Sequence, residues 1–301
     1  MYMHGNICAK HTRRADKITS WIFLLPALII VLLVVVYPLL NSILLSLKSV
    51  RLNIAQYEHK FVGLENYVQM FRDNDFGITV KSTFIFALVS VLCECVLGTV
   101  AAMMFAGDGH IPRFLRSFML IPMIIAPVVS GNLWRMMLDK STGIINYGLT
   151  LLSLPPVNWL GNAKLAMLSI IFVDVWRMMP WVALLLISGI KAIPYDTIEA
   201  AIVDGVTKWQ NFIFIVLPQL YKIFILVLMI RTIDAFKVFD VVYVMTSGGP
   251  GRATEMLPNY IYTQGLRYFN AGYAAALAIS FLLAMACLAL VFLLLRRAKK
   301  D

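Results

Sequence analysis

Long apolar stretches separated by short polar segments dominate this 301-residue sequence. Two stretches contain no charged residue at all, the 19 residues from Ile22 to Leu40 and the 22 residues from Ala274 to Leu295. A helix needs roughly 20 apolar residues to cross the hydrocarbon core of a bilayer. The pattern therefore predicts an all-α membrane protein with six transmembrane helices at 20–47, 78–106, 114–138, 165–190, 219–244 and 272–295. Pro38 predicts a bend or a stop near the end of the first helix.

Composition also favours a membrane protein. Hydrophobic residues make up 60% of the chain and charged residues 14%, and the mean hydropathy is +0.81, whereas soluble domains average about 25% charged residues. The net charge is +10, but the basic residues lie mostly between the spans and form no nucleic-acid-binding motif, so no nucleic-acid partner is expected. The cysteines lack metal-ligand or disulfide spacing and are predicted to be small buried hydrophobes: Cys8, Cys93, Cys95 and Cys287.

The basic residues between the spans predict an orientation. If the N-terminus is inside, the inner segments carry 13 Lys/Arg in 69 residues and the outer segments carry 7 in 82. Because basic residues concentrate on the cytoplasmic side of membrane proteins, we expect both termini and residues 195–218 in the cytoplasm. The chain then divides into a tail at 1–19, a transmembrane domain at 20–295 and a second tail at 296–301.

A moderately polar insert at 195–218 interrupts the apolar pattern, and we refer to it as the 195–218 stretch. Pro194 is suited to open a helix, and Gly205 is suited to the left-handed conformation that ends one. Thr207 and Gln210 have capping-box spacing for a second helix start, and Pro218 predicts that this helix stops or bends. The sequence therefore predicts two short helices joined at Gly205, too short to cross a membrane.

The segments on the predicted outer side contain turn residues and short helical patterns. Tyr67, Met70 and Phe71 have apolar helical spacing, so a short helix is expected within 61–71 at the outer surface. Glycines and prolines in 139–163 leave room for at most one short helix. The sequence TSGGPGRAT at 246–254 predicts a tight turn that could cover the outer mouth.

Ionisable residues inside the spans are the first candidates for chemistry, because such groups are costly in hydrocarbon and face the bundle interior. Glu94 is expected to be packed and hydrogen-bonded or protonated. Asp174 and Arg177 can pair at a spacing of three, either as an ion pair that holds helices together or as part of a polar translocation path. A line of alternating charge in the fifth span has two open interpretations, a polar translocation path or ion pairs that hold helices together: Arg231, Asp234, Lys237 and Asp240.

Aromatic and amide side chains accompany these charges. Flat rings beside hydrogen-bonding groups suit a sugar, although Trp and Tyr also gather at membrane interfaces. The candidate residues of a substrate pathway are Asn132, Arg135, Trp176, Arg177, Arg231, Asp234, Lys237, Asp240 and Tyr243.

Motifs for catalysis are missing from the sequence. It contains no GxxxxGK[ST] phosphate-binding loop and no HExxH, GxSxG or Cys/His catalytic arrangement. We therefore expect no catalytic residues, no metal site and no cofactor bound by this chain.

The 195–218 stretch resembles the EAA loop of ABC importer permeases. Glu199-Ala200-Ala201 is followed by Gly205 after three intervening residues, and then by Ile215-Val216-Leu217-Pro218 after nine. The surrounding segments resemble the carbohydrate-uptake branch of that family, which includes maltose, trehalose and glycerol-3-phosphate permeases, and TSGGP resembles its first-subunit type. These segments are GLENYVQMF at 63–71, GNLWRMM at 131–137, VWRMMPW at 175–181, IPYDTIEAAIVDG at 193–205 and MTSGGPGRAT at 245–254.

This resemblance implies a type I importer fold and a multi-pass subunit of a bacterial cytoplasmic (inner) membrane. The implied partners are a second six-helix permease subunit, two ATP-binding subunits that hold ATP and Mg²⁺, a periplasmic or lipid-anchored solute-binding protein, membrane lipid and a sugar-like substrate. It implies that the permease opens alternately to the two sides of the membrane. It also implies that the residues which couple this motion to the ATPase are Glu199, Ala200, Ala201, Asp204, Gly205, Leu217 and Pro218. In that family Glu199 would pair with or cap a group on the ATPase, and the alanines would permit close approach.

The chain lacks the extra N-terminal spans and the large outer insertion of maltose-type first subunits, which leaves its sugar contacts open. An ion-coupled secondary transporter is the alternative, suggested by the charges of the fifth span. A membrane enzyme or an assembly scaffold is a third hypothesis.

Overall fold

The computed structural model describes residue 21 and residues 23–52, 60–106 and 113–298. The tail at 1–19, with Cys8, and residues 299–301 of the other tail lie outside the described residues. We number the elements in chain order. They are α1 (Phe23–Ser46), β1 (Lys48–Ser49), β2 (Lys60–Phe61), α2 (Glu65–Arg72), α3 (Asn74–Ala106), α4 (Arg113–Ile124), α5 (Pro127–Met137), α6 (Ile144–Leu151), α7 (Ala163–Lys191), α8 (Tyr195–Val203), α9 (Lys208–Asn211), α10 (Leu217–Phe236), α11 (Asp240–Met245), α12 (Leu257–Tyr262) and α13 (Ala271–Ala298).

Five helices among the described residues are long and apolar enough to cross a membrane, and a bent pair makes a sixth span. The bent pair is α4 and α5, which meet at 99°. The span predicted at 114–138 is therefore present, but it is broken into two helices instead of being one continuous helix. Pro127 explains the break, because a proline disfavours helical backbone at the residue before it, and Ala126 is extended at ψ 140°.

Two spans contain a π-helical turn immediately before a proline. The turns are Leu32–Val36 before Pro38 and Phe212–Val216 before Pro218. A proline has no N–H and its ring clashes with the carbonyl four residues earlier, and the wider π turn accommodates both defects within a continuous helix. Of the two outcomes predicted for Pro38, a bend or a stop, the stop is excluded, because α1 continues to Ser46.

The core of the bundle is the contact between α3 and α7. Phe86, Val91 and Cys95 of α3 pack in one buried cluster with residues of α7 such as Ile170. Cys95 is buried as predicted, but Cys287 is exposed on α13. At Gly98 the two helices are so close that an added Cβ would lie 2.7 Å from Cγ1 of Val182.

The predicted outer segments lie at the end of the spans opposite the 195–218 stretch, which we call the far end. β1 and β2 pair antiparallel, with Ser49 opposite Lys60. Asp73 accepts hydrogen bonds from the hydroxyls of Tyr260 and Tyr273. Burial alone would raise the pKa of Asp73, but these hydrogen bonds and those from backbone N–H groups lower it below its ordinary value.

The short helices expected at the far end are present. α2 begins at Glu65, and α6 is the single α-helix between α5 and α7. In α2, Met70 is buried and Tyr67 is bonded to Ser46 at 2.8 Å, but Phe71 is 79% exposed. The predicted short helix is therefore present, with Met70 packed against the protein and Phe71 facing outward. The turn predicted at 246–254 forms, and the Thr254 hydroxyl donates to the Gly249 carbonyl at 2.6 Å.

A bulky side chain at Gly98 should separate α3 from α7. We expect Gly98→Val to lower the free energy of unfolding by about 1–3 kcal/mol more than Gly77→Val does, because overpacking a close contact forces the helices apart. Gly77 is the matched control, since it lies on the same helix and nothing lies within 4 Å of an added Cβ. Denaturant unfolding of both purified variants measures the difference. Equal losses would contradict the close α3–α7 contact.

Candidate coupling stretch and charged cluster

The first half of the 195–218 stretch ends as the sequence predicts. α8 follows Pro194, and the Thr197 N–H donates to the Pro194 carbonyl at 3.1 Å. Gly205 has φ +71°, and the N–H of Val206 donates to the carbonyl of Ala201 at 3.1 Å. A left-handed residue combined with this bond is a standard helix C-cap, so the predicted role of Gly205 is confirmed.

The second half begins with the predicted capping box. The Thr207 N–H donates to Oε1 of Gln210 at 2.9 Å, and the Gln210 N–H donates to Oγ1 of Thr207 at 3.3 Å. Two N–H groups that have no partner at a helix start are thereby satisfied. The direction in which α9 leaves Gly205 is fixed by these bonds.

The second helix does not stop at Pro218. The chain is helical from Trp209 to the end of α10 through the π turn, where the N–H of Leu217 donates to the carbonyl of Phe212. The prediction of a separate short helix is wrong, and the fifth span begins about ten residues earlier than predicted. Pro218 therefore lies inside a span that carries α9 as its first turn.

The base of the stretch packs between the ends of α7 and α10. Ile193, Val216 and Leu220 form a buried apolar cluster, against which Phe212 packs. An added Cβ at Gly189 would lie 2.8 Å from Leu220, which shows how closely α7 approaches α10. The stretch is held at both of its ends.

The residues predicted to couple to the ATPase include both buried and exposed side chains. Ala201 is buried and packs within the chain. The exposed members are Glu199, Asp204, Gly205, Leu217 and Pro218. Three large apolar side chains that the sequence reasoning did not select are also exposed: Val203, Trp209 and Phe214. Their position on a predicted cytoplasmic helix pair was the signal that could have identified them.

A cluster of four charged side chains, of which all but Arg177 are buried, joins three spans. We call it the charged cluster: Glu94 of α3, Asp174 and Arg177 of α7, and Arg231 of α10. Arg231 donates through Nε to Oε2 of Glu94 at 2.6 Å and through Nη2 to Oε1 at 2.8 Å. Nη2 also donates to Oδ2 of Asp174 at 3.2 Å. Arg177 pairs with Oδ1 of Asp174 at 3.3 Å.

The burial of these side chains distinguishes a translocation path from ion pairs that hold helices together. Glu94 is 0% exposed, and Asp174 and Arg231 are each 2% exposed. The predictions that Glu94 is hydrogen-bonded and that Asp174 pairs with Arg177 are confirmed. For Arg231 the geometry favours the ion-pair interpretation over the pathway one, because its guanidinium is enclosed between two carboxylates.

The rest of the charged line in the fifth span is exposed. Lys237 pairs with Asp234 at 3.3 Å, and their side chains are 53% and 45% exposed. α10 ends at Phe236 and α11 begins at Asp240. The line of alternating charge predicted for the fifth span is therefore interrupted after Lys237.

Aromatic rings and two arginines gather beside α11. The ring of Tyr243 stacks on Phe239 at 5.3 Å and meets Tyr262 edge-on at 5.4 Å. Arg267 donates to the Tyr243 hydroxyl at 3.3 Å, and Arg135 donates to the backbone carbonyl of residue 244 at 3.0 Å. Tyr262 and Arg267 were not predicted, because no sequence spacing connects them to residues about 20 positions earlier.

The remaining predicted pathway residues lie on α5 and α7. Trp176 contacts Trp134 edge-on at 5.5 Å, and Asn132 is exposed on the same helix as Trp134. An apolar cavity of about 410 Å³ lies beside Trp134 and is also lined by Trp159 and Phe172. The structure thus brings Trp176 next to α5, while Asp234 and Lys237 form a separate pair.

Comparison with known proteins identifies the relatives of this chain. A family described as the binding-protein-dependent transport system inner membrane component matches residues 94–300. A trehalose/maltose transport system permease protein of Thermococcus litoralis is 35% identical over 99% of this chain and 100% of its own length. An sn-glycerol-3-phosphate transport system permease protein of Agrobacterium fabrum is 30% identical over 87% of this chain and 88% of its own length.

Solved structures show the same fold. A bacterial ABC transporter involved in the import of the acidic polysaccharide alginate contains a chain that aligns with a TM-score of 0.83 at 21% identity, covering 98% of this chain and 99% of that chain. A chain of an amino acid ABC transporter aligns with a TM-score of 0.54 at 16% identity, covering 79% of this chain and 100% of that chain. The predicted importer permease fold is thereby confirmed.

Removing one member of the charged cluster should destabilise the bundle. We expect Arg231→Met to cost about 3–5 kcal/mol, because Glu94 is left as an unpaired buried charge. Replacing both groups, in Glu94→Gln with Arg231→Met, should recover most of this loss. Lys237→Met is the control, since its exposed pair is worth less than about 1 kcal/mol.

Unfolding of the wild-type protein and the three purified variants in denaturant measures these differences. Equal losses for Arg231→Met and Lys237→Met would contradict a structural role for the cluster, as would a double variant that is less stable than Arg231→Met alone.

Proposed function

Because the chain belongs to the family of binding-protein-dependent transport system inner membrane components, we propose that it couples ATP hydrolysis in partner subunits to the passage of a sugar or sugar-like solute. One observation carries this proposal. The 195–218 stretch has EAA spacing, exposes Glu199 and is continuous with a membrane span. A docking element joined directly to a span is what such coupling requires.

In the proposed coupling step, the exposed side of α8 and α9 docks on an ATP-binding subunit. Glu199 pairs with or caps a group of that subunit, and the exposed ring of Trp209 adds apolar contact. The C-cap at Gly205 and the capping box at Thr207 keep the two helices at a fixed angle. A displacement of the docked helices is then carried into α7 and α10, and the path opens alternately to the two sides of the membrane.

The proposed solute class rests on the relatives and on the side chains available. The two relatives described above are permeases of trehalose/maltose and glycerol-3-phosphate systems, so an oligosaccharide, a polyol or glycerol phosphate is proposed here. Rings beside hydrogen-bonding groups suit such solutes. The proposed contacts are Asn132, Arg135, Trp176, Arg177, Asp234, Lys237, Asp240 and Tyr243, with Tyr262 and Arg267 beside Tyr243.

The proposed assembly contains a second six-helix permease subunit, two ATP-binding subunits that bind ATP and Mg²⁺, and a solute-binding protein. The chain itself has no role in hydrolysis in this proposal. Both termini and the 195–218 stretch are placed in the cytoplasm, which the distribution of Lys and Arg supports. The family match does not favour the alternative of an ion-coupled secondary transporter.

Reversing the charge of Glu199 should uncouple transport from hydrolysis. In proteoliposomes that contain the complex, we expect Glu199→Lys to abolish ATP-driven uptake and the stimulation of ATPase activity by the loaded solute-binding protein. Asp196→Lys is the matched control, because Asp196 is exposed on the same helix but lies outside the EAA motif.

Gly205→Pro should uncouple in the same way, since proline cannot adopt φ +71°. Solute-stimulated ATP turnover at the normal rate in Glu199→Lys would contradict the coupling role, and uptake driven by an ion gradient without ATP would support the carrier alternative.

The exposed pair in the fifth span distinguishes a pathway from a structural ion pair. If Asp234 and Lys237 contact the solute, Asp234→Ala and Lys237→Ala should each reduce uptake, and the double variant should be no better than either single one. Uptake by the complex in proteoliposomes measures this. Recovery of uptake in the double variant would show that the two charges serve only each other.

A further inference from the structure

Two short helices at the far end, α2 and α6, each turn an apolar face outward. These faces are unusual because each helix is also fixed on its opposite side by a buried asparagine. We define the outward face of α2 as Val68 and Phe71 together with Leu64, the residue at its N-cap. We define that of α6 as Ile144, Tyr147 and Leu151.

Asn66 fixes the rotation of α2. It is 7% exposed, and its Nδ2 donates to the carbonyl of Ser46 at 2.8 Å and to that of Lys48 at 3.0 Å. On the same side of the helix, Met70 packs in a buried cluster that contains Tyr260. This side of α2 therefore cannot turn outward without breaking both the hydrogen bonds and the apolar contact.

Asn146 fixes α6 more firmly. It is 3% exposed, and its Nδ2 donates to the carbonyl of Val157 at 2.9 Å. Its Oδ1 accepts from the N–H of Val157 at 3.0 Å and from Nε1 of Trp159 at 3.1 Å. The amide joins the helix to the chain that follows it, so α6 also has one permitted orientation.

Helical geometry places the outward residues across from these asparagines. At 100° per residue, positions two before and five after an asparagine lie about 140–160° around the axis from it. Phe71 is 79% exposed and Leu151 is 69% exposed at the position five residues after the asparagine. In a helix facing water this side would be polar. Here the positions most certain to point away from the protein are apolar.

The location of the two helices indicates what covers these faces. Only Asp73 separates α2 from the α3 span, and α6 lies between the α5 and α7 spans. Each helix has eight residues, which is about 12 Å and too short to cross a bilayer. The adjoining spans expose apolar side chains of their own, such as Ile78 of α3 and Leu168 of α7, so the outward faces continue a surface that faces lipid.

We propose that the outward faces of α2 and α6 lie in the headgroup region of the bilayer at the far end, where phospholipid covers them. Short helices with an apolar face bury that face in the boundary between headgroups and acyl chains, and the ring of Tyr147 suits this region. Phospholipid fits better than a partner protein, because the same arrangement occurs on two helices from different segments and each adjoins a lipid-facing span. Because Asn66 and Asn146 attach these helices to the neighbouring chain, contact with lipid would fix the depth of the far-end segments relative to the bilayer surface.

Spin labels on the two helices test this proposal. The four native cysteines are replaced by alanine, and single cysteines at Phe71 and Leu151 are labelled in the purified chain together with the subunits that co-purify with it, in phosphatidylcholine nanodiscs. The ratio of collision with oxygen to collision with a nickel chelate reports depth. Gln69 and Thr150 are the matched controls, because both are exposed and polar on the same helices. A label at Leu290, which is exposed on α13, gives the collision ratio of a position on a membrane span.

The proposal predicts that the ratios at Phe71 and Leu151 shift toward that of Leu290, while those at Gln69 and Thr150 stay near the value for water. Ratios at Phe71 and Leu151 equal to those of the controls would overturn it. Labels shielded from both oxygen and nickel would also overturn it, because a partner protein would then cover the faces. The readout is a depth, so its outcome is independent of the proposed solute and of the coupling role.

Discussion

The contact on which the rest of this structure depends is the buried guanidinium of Arg231 between the carboxylates of Glu94 and Asp174. Ionised groups are costly within a membrane, so a paired arginine here holds its three helices together, since separating them would leave charges unpaired. Two of those helices, α7 and α10, are the ones that enter and leave the 195–218 stretch. The same contact that stabilises the bundle therefore determines how the two ends of the stretch are placed.

Three further features make the stretch and these helices one rigid unit in our account. The apolar cluster of Ile193, Val216 and Leu220 packs its base. The capping bonds between Thr207 and Gln210 fix the start of α9, and the π turn before Pro218 keeps α9 continuous with α10. A force on the exposed surface of α8 would then reach the charged cluster through packed helix and not through a flexible loop.

Local features of the fold could be predicted from the sequence, and long-range ones could not. The capping box, the C-cap at Gly205 and the positions of most spans depend on residues within a few turns of one another. The partner of Arg231 is Glu94, 137 positions earlier, and no spacing rule connects such residues. Proline was the main source of error, because the same residue produces a 99° break at Pro127 and an accommodated π turn at Pro218, and backbone preference alone does not distinguish the two.

The distance between spin labels at Val203, exposed on α8, and at Lys237, which follows the end of α10, shows most directly whether the 195–218 stretch and α10 move together. It would be measured by pulsed electron resonance in the assembled complex without nucleotide and with a non-hydrolysable ATP analogue. We expect a single narrow distance distribution that is the same in both states, because the 195–218 stretch and α10 move together. A broad distribution, or a mean that shifts when nucleotide binds, would contradict it.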